Sequence, residues 1–388
     1  MTLFADFPAD VRRALPRLIG FRFISNIGVR YPYSFLPALA RGAGFSIEEM
    51  STVLSAREFT GALAPAAGRI ADRGGSGKLM SAATFLGVAA LAAATVGRWG
   101  LAIGFVLFGL SKIAFDVAMN PWIGDHVPYE RRGRAMGLVE LSWAASALVG
   151  LPTLGFLIDR VGWNAASALL AMLGLPLAVA IARSEGREPP SVHRQEVHRR
   201  PLVNAGIAAT ITAFCLMTTS SQLLIIGHGL WLEDTYGLNS ASVGIAVIAI
   251  GVVEAIGSST SSGLTDRIGK RRAITIGTLI MGLAATALSL FPAPRLAIGL
   301  LLLAVAFLGF EFAIVSALPL ISELDPGARA QMLGWALGLS TVLRALGSMS
   351  GGWLYVHQGF GTLMGVTVAG CALSILMLVT LVPEPAHA

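Results

Sequence analysis

Twelve long apolar stretches follow one another through the chain, near residues 14–40, 46–71, 79–97, 100–124, 134–158, 164–183, 202–231, 240–265, 273–291, 296–321, 331–356 and 361–382. Each is long enough to cross a bilayer, for which about 20 apolar residues suffice. Backbone polar groups cannot face lipid unpaired, so every stretch has to be a helix; a membrane barrel would show short alternating segments instead. Only 13% of the 388 residues are charged, against roughly 25% in soluble domains. The fold class is therefore an all-α membrane protein with twelve transmembrane helices.

The net charge of +6 raises nucleic acid as a partner, but the basic residues sit in short loops between apolar stretches, where topology explains them. No nucleic-acid partner is expected; the partner is the lipid bilayer. Alternate loops hold 19 and four Lys and Arg residues, which puts both termini in the cytoplasm of a multi-pass protein of the cell (inner) membrane. The first fifteen residues carry Asp6, Asp10, Arg12 and Arg13 and no apolar core before a small-residue cleavage site, so helix 1 is expected to be retained. The two cysteines, Cys215 and Cys371, both fall inside predicted helices and offer neither a disulfide framework nor metal-ligand spacing.

The chain is also a repeat. GRIADRGGSGK at 68–78 returns as SGLTDRIGKRR at 262–272, aligning Asp72 with Asp266, Arg73 with Arg267 and Gly75 with Gly269, 194 residues apart in a chain whose half-length is 194. A second echo runs at an offset of 197: Gly150, Gly155, Gly162 and Trp163 match Gly347, Gly352, Gly359 and Phe360. Small residues so spaced let membrane helices approach closely. The polar stretch between helices 6 and 7 reads as a linker, giving a six-helix bundle at 1–183, a cytoplasmic linker at 184–201 and a second bundle at 202–388. Two pseudo-twofold-related bundles are expected.

These residues resemble the major facilitator superfamily. Its loop signature between helices 2 and 3 is matched at Gly68, Asp72, Arg73 and Gly75 and departs at Ser76 and Gly77, where basic residues are usual. The second copy keeps Lys270, Arg271 and Arg272 but has Ser262 for the leading Gly. Pro152 and Gly155 are partly similar to the helix 5 motif of proton-driven drug antiporters, and equally suit a kink with close packing. The resemblance implies that helices 1, 4, 7 and 10 line a central cavity and that Asp72, Arg73, Asp266 and Arg267 gate it.

Ten ionisable residues fall at membrane depth: Arg22, Arg30, Arg57, Lys112 and Arg344 against Glu58, Asp116, Glu140, Glu254 and Glu311. Each costs about 2.5–3.5 kcal/mol at a helix centre, so they are expected to pair and to mark function. Lys112 and Asp116 are four apart on one helix face and, with Glu311 on helix 10, are the proton-coupling candidates. Two roles stay open for Arg30: neutralising Glu58 or Asp116, or clamping an anionic substrate through its planar fork. Arg22 and Glu140, nearer the cytoplasm, are a weaker candidate for a gate pair, and Glu254 is matched with Arg344. Tyr33 and Phe310 belong to an aromatic wall, and Ser221 and Gln222 to a polar run on helix 7; these four and Arg30 are the substrate-binding candidates.

No metal-binding His-Glu-x-x-His, nucleophile elbow or nucleotide-binding loop occurs, so no enzyme, cofactor or metal is expected. The reading is a monomeric secondary transporter working by alternating access, with protons exchanged for a small amphipathic or drug-like molecule on its way out. Proton-coupled uptake of a small organic anion is the alternative. A reporter active only outside the cytoplasm, fused after Ala388, is expected to stay silent; activity there would reverse the topology.

Overall fold

A computed structural model describes residue 4 and residues 6–185, 204–293, 295–325 and 328–382, without the side chains of residues 72–74, 262, 329 and 330. The described residues form helices joined by short loops. The first span is α1 (Ala9–Ser34) continued by α2 (Leu36–Ala43) across Phe35. The second is α3 (Ile47–Phe59), a 3-10 turn at Thr60–Leu63, and α4 (Ala64–Gly74), whose first turn holds Pro65. Then come α5 (Ser76–Ala93) and α6 (Gly97–His126). The fifth span is α7 (Tyr129–Ala145), a π-helical turn at Ser146–Gly150, and α8 (Leu151–Val161); Pro152 lacks an N–H, and the widened turn absorbs the broken ladder. The sixth is α9 (Ala165–Ser184).

The second half opens with α10 (Ala205–Tyr236), capped by Asn204, whose Oδ1 accepts from the Ile207 amide at 2.8 Å. It continues with α11 (Ser240–Ala246), α12 (Ile248–Ile268), α13 (Lys270–Leu290) and α14 (Leu296–Glu323). The last two spans form one helical run, α15 (Arg329–Leu381), turned at Gly359. Among the described residues nine helices are long and apolar enough to cross a membrane. The nine become twelve because α15 holds two spans and because the first two spans, rich in charge and broken at Phe35 and Thr60–Leu63, are each built from shorter pieces. Apart from Ser184 and Glu185, the expected linker lies outside the described residues.

The repeat is written into the backbone. Of the seven glycines with positive φ among the described residues, six form three pairs: Gly44 with Gly237, Gly75 with Gly269, and Gly162 with Gly359. Gly75 and Gly269 adopt φ 90°, ψ 135° and φ 91°, ψ 139°, a conformation open to residues without Cβ. Each amide closes the preceding helix, Gly75 onto the Ala71 carbonyl at 2.9 Å and Gly269 onto that of Thr265 at 3.0 Å. Asp266 and Arg267 sit exposed in the last turn of α12, just before this reversal; Asp72 and Arg73 lie in α4, their side chains outside the description.

Two compact units result. The first takes in the described residues up to 46, 56–185 and Ser240–Gly244; the second takes in Ile47–Ser55, 204–239 and the described residues from 245 onward. In the first, α5 packs on α6 and α9, and α1 on α7 and α9; in the second, α13 packs on α14 and α15, and α10 on α15. Small residues set the spacing in both. A Cβ on Gly277 would lie 2.6 Å from the Gly309 carbonyl oxygen, and one on Gly104 2.5 Å from that of Ala90. Gly150 would likewise meet Ile27, and Gly347, its repeat partner, Thr219. Such approaches replace the hydrophobic drive that lipid-facing helices lack.

Gly269→Ala is expected to destabilise the protein by about 1–3 kcal/mol, because alanine cannot hold that backbone without strain. Gly263→Ala, in open space within the same motif, should be near neutral. Unfolding in detergent titrated with a denaturing surfactant checks both; equal stabilities would show that the loop relaxes freely.

Candidate functional site

Arg22, Asn26, Arg30 and Tyr33 follow one another at helical spacing and so share one face of α1. Lys112 and Asp116 stand one turn apart on α6, and Glu140 and Trp143 one turn apart on α7. Within the first unit these three faces meet. Arg22 Nη1 donates to Glu140 Oε1 at 2.9 Å, while its Nε faces Asp116 Oδ1 at 3.7 Å. Asp116 Oδ2 is held by Lys112 Nζ. One turn further along, Asn26 Nδ2 donates to Ser142 Oγ at 3.0 Å, and the Arg30 guanidinium lies 4.5 Å over the Trp143 ring. The pair read from the sequence as Arg22 and Glu140 is thus joined, through Arg22, to the pair read as Lys112 and Asp116.

Two cations and two carboxylates balance, as membrane depth demands. Their surroundings differ. Arg22 and Lys112 are each 13% exposed, Asp116 32% and Glu140 59%, so the cations are shielded and the carboxylates form the accessible end. Neither Arg22 Nε nor Asp116 Oδ1 makes a hydrogen bond. Asp116 is therefore hydrogen-bonded through one oxygen, while the other, itself shielded from solvent, faces Arg22 Nε without a hydrogen bond.

In the second unit the candidates are held differently. Glu311, buried on α14, accepts a 2.5 Å hydrogen bond from Ser258 Oγ on α12, across from Gly257. Gln222 is fully buried and committed: its Oε1 accepts from Arg344 Nε at 3.0 Å and its Nε2 donates to Ser348 at 2.8 Å. Ser221, also fully buried, donates back to the Thr218 carbonyl at 2.8 Å. Phe310 is buried beside Glu311. Tyr33, grouped by sequence with an aromatic wall, gives its hydroxyl to Glu58 at 2.8 Å. His228 is buried, with Nδ1 2.7 Å from the Ile225 carbonyl and its ring edge-on to Phe307. The roles of Arg344 toward Gln222 and of Tyr33 toward Glu58 escaped the sequence reading; their one visible sign was polar residues inside apolar helices.

The family model of the Major Facilitator Superfamily matches residues 18–226 and 209–388. The chain belongs to the major facilitator superfamily. It is 25% identical over 303 residues to the uncharacterized MFS-type transporter YceJ of Bacillus subtilis (strain 168), covering 73% of this chain and 75% of that one. A lysophospholipid transporter, LplT of Klebsiella pneumoniae subsp. pneumoniae, is 27% identical over 274 residues and 66% of each chain. A class G tetracycline resistance protein of Vibrio anguillarum is 28% identical over 201 residues, 48% of each. The fold is that of a D-xylose-proton symporter crystal structure, with TM-score 0.75 at 16% identity over 95% of this chain and 97% of that one. The superfamily chain is thus a multi-pass secondary transporter of twelve spans in two six-helix bundles, and not an enzyme.

If Arg22 ties Glu140 to the cluster, Arg22→Gln and Glu140→Gln should be less destabilising together than their separate effects predict. The expected coupling is about 0.5–1 kcal/mol, small because Glu140 is 59% exposed. A double-mutant cycle on unfolding in detergent measures it; strictly additive effects would show that the contact carries no energy.

Proposed function

We propose that this superfamily member is a proton-coupled exporter that exchanges protons for a small amphipathic or drug-like molecule. The observation that carries the reading is Asp116: its Oδ2 is bound to Lys112, its Oδ1 makes no hydrogen bond, and it is the half-shielded member of a balanced charge cluster. A proton on Asp116 leaves Arg22 and Lys112 one carboxylate short, and a low-dielectric site does not keep such an excess. The cluster has to rearrange, which is how proton binding becomes motion. Glu311, buried on α14 and accepting from the Ser258 hydroxyl, is the corresponding coupling carboxylate of the second unit.

Relatives named for lysophospholipid transport and tetracycline resistance suit an amphipathic substrate, the latter also export. On this reading Arg30, Tyr33, Ser221, Gln222 and Phe310 contribute to substrate binding. Asp72, Arg73, Asp266 and Arg267 gate the transporter from paired loops of shared geometry. The carrier acts as a monomer in the inner membrane, with both termini in the cytoplasm. A second reading, proton-coupled uptake of a small organic anion, is favoured by Arg30, whose planar guanidinium on Trp143 has the geometry to pair with a carboxylate.

Proteoliposomes with an imposed pH gradient, loaded in turn with tetracycline and a lysophospholipid, separate the readings. Movement of either probe against the proton flow is expected; movement with it would give the uptake reading. Glu311→Gln is expected to abolish proton-driven flux while leaving counterflow exchange, and intact proton-driven flux in that variant would remove Glu311 from coupling.

A further inference from the structure

A second charged cluster in the first unit stands apart from the Arg22 to Glu140 network. Arg57 and Glu58 are adjacent on α3, at the point where the helix passes into the 3-10 turn at Thr60–Leu63. Neighbours in sequence do not ordinarily face one another on a helix, yet Arg57 Nη2 reaches Glu58 at 3.2 Å. Tyr33 of α1 donates its hydroxyl to the same Glu58 oxygen at 2.8 Å, and the Arg57 guanidinium lies 4.9 Å over the Tyr33 ring. The Thr60 hydroxyl donates to the Arg57 carbonyl at 2.6 Å, and α6 presses Gly109 against the Arg57 stem, leaving no room there for a side chain. Arg57 is 2% exposed and its Nη1 has no hydrogen-bond partner; Glu58 is 12% exposed.

The repeat sharpens the asymmetry. Counted along the 194-residue offset, Gly251 and Val252 stand where Arg57 and Glu58 would recur. The shared scaffold therefore does not require these charges, and an intramembrane charge beyond scaffold needs is by default functional.

We propose that Glu58 is a second proton-binding carboxylate of the transporter, with Tyr33 and Arg57 as the residues that position it. The donors are matched to this task. A tyrosine hydroxyl donates to a carboxylate and accepts from a carboxylic acid, so Tyr33 serves both states of Glu58, whereas Arg57 can only donate and serves the ionised one. Binding a proton therefore keeps the Tyr33 contact and gives up the Arg57 contact. Arg57, already short of one partner, is then a buried cation held by the Tyr33 ring, a costly state beside an irregular turn. The Thr60–Leu63 turn is the segment placed to move in response. Tyr31, bonded to Ser167 at 2.6 Å, also lies near Arg57, and Arg30, one turn before Tyr33 on the same helix, rests on Trp143.

The test uses the full chain in detergent and protons as the sole probe. Acid-minus-neutral infrared difference spectra register a protonated buried carboxyl as its own carbonyl band. The wild type should give a band that Glu58→Gln removes and Glu58→Asp retains. Asp116→Asn should leave that band in place, so failure of the Asp116 reading and failure of this one are told apart. Tyr33→Phe should keep the Glu58 band but shift its position and make it grow in at higher pH, because the ionised form has lost a donor; this variant decides the matter if Glu58→Gln does not fold. Spectra of Glu58→Gln or Tyr33→Phe identical to the wild type at every pH would overturn the proposal.

Discussion

A charge carried into the hydrocarbon layer has to be cancelled close to where it lies, and this requirement organises the polar interior of the first unit. Arg22 reaches two helices because Asp116 and Glu140 stand on both, and Lys112 takes the oxygen that Arg22 leaves. Ions stripped of water lose several kcal/mol each, which attraction recovers only with good geometry. The clusters are accordingly compact: α1 meets α6 and α7 in one and α3 in the other. Because each cluster is balanced, adding or removing a single proton upsets it, and a balanced arrangement is therefore also a sensitive one.

The two halves show how function is laid over a repeated frame. Paired glycines at 44 and 237, 75 and 269, and 162 and 359 reproduce the same reversals, and Gly150 and Gly347 press on the corresponding helix. What is not repeated is chemical. The first half has the 3-10 turn, the π-helical turn and the two charge clusters described above; the second has buried amide and hydroxyl contacts such as Gln222 to Ser348 and the group of Ser261, Thr265 and Ser316, besides the Lys270–Glu323 ion pair. Irregular turns release backbone groups and let a helix bend, and in this chain they fall beside Arg57, Glu58 and Trp143. The symmetric parts serve folding; the proposed substrate and proton sites lie in the asymmetric parts.

Most of the frame was legible in the residues, since apolar length, loop charge and the repeated DR-x-G motif are one-dimensional signals of three-dimensional constraints. Pairing within one helix was legible for the same reason: Lys112 and Asp116 stand at a spacing that determines their neighbourhood. Contacts between helices were not. Arg30 was left between a carboxylate and a substrate, and the aromatic face it rests on, Trp143, is 113 residues away with no local sign of the contact. Tyr33 was read as part of an aromatic wall for the substrate; only packing shows its hydroxyl turned to Glu58. Breaks within spans were half visible, as Pro152 announced one, but not which kind of turn would absorb it.

The two clusters differ in a way that bears on coupling. Asp116 is the more open carboxylate, 32% exposed and paired with a lysine that has three rotatable donors. Glu58 is the more enclosed, 12% exposed and paired with a planar arginine fixed on an aromatic ring. A flexible ammonium can follow a carboxylate through small displacements, whereas a stacked guanidinium either keeps its bond or loses it. On the proposed coupling roles, Asp116 would follow small displacements of its lysine, and Glu58 would change all-or-none at a helix break. Both act on α1, Arg22 at one point and Tyr33 three turns further on, so a proton at either end biases the same helix. That shared helix would let the two proposed proton sites drive one movement.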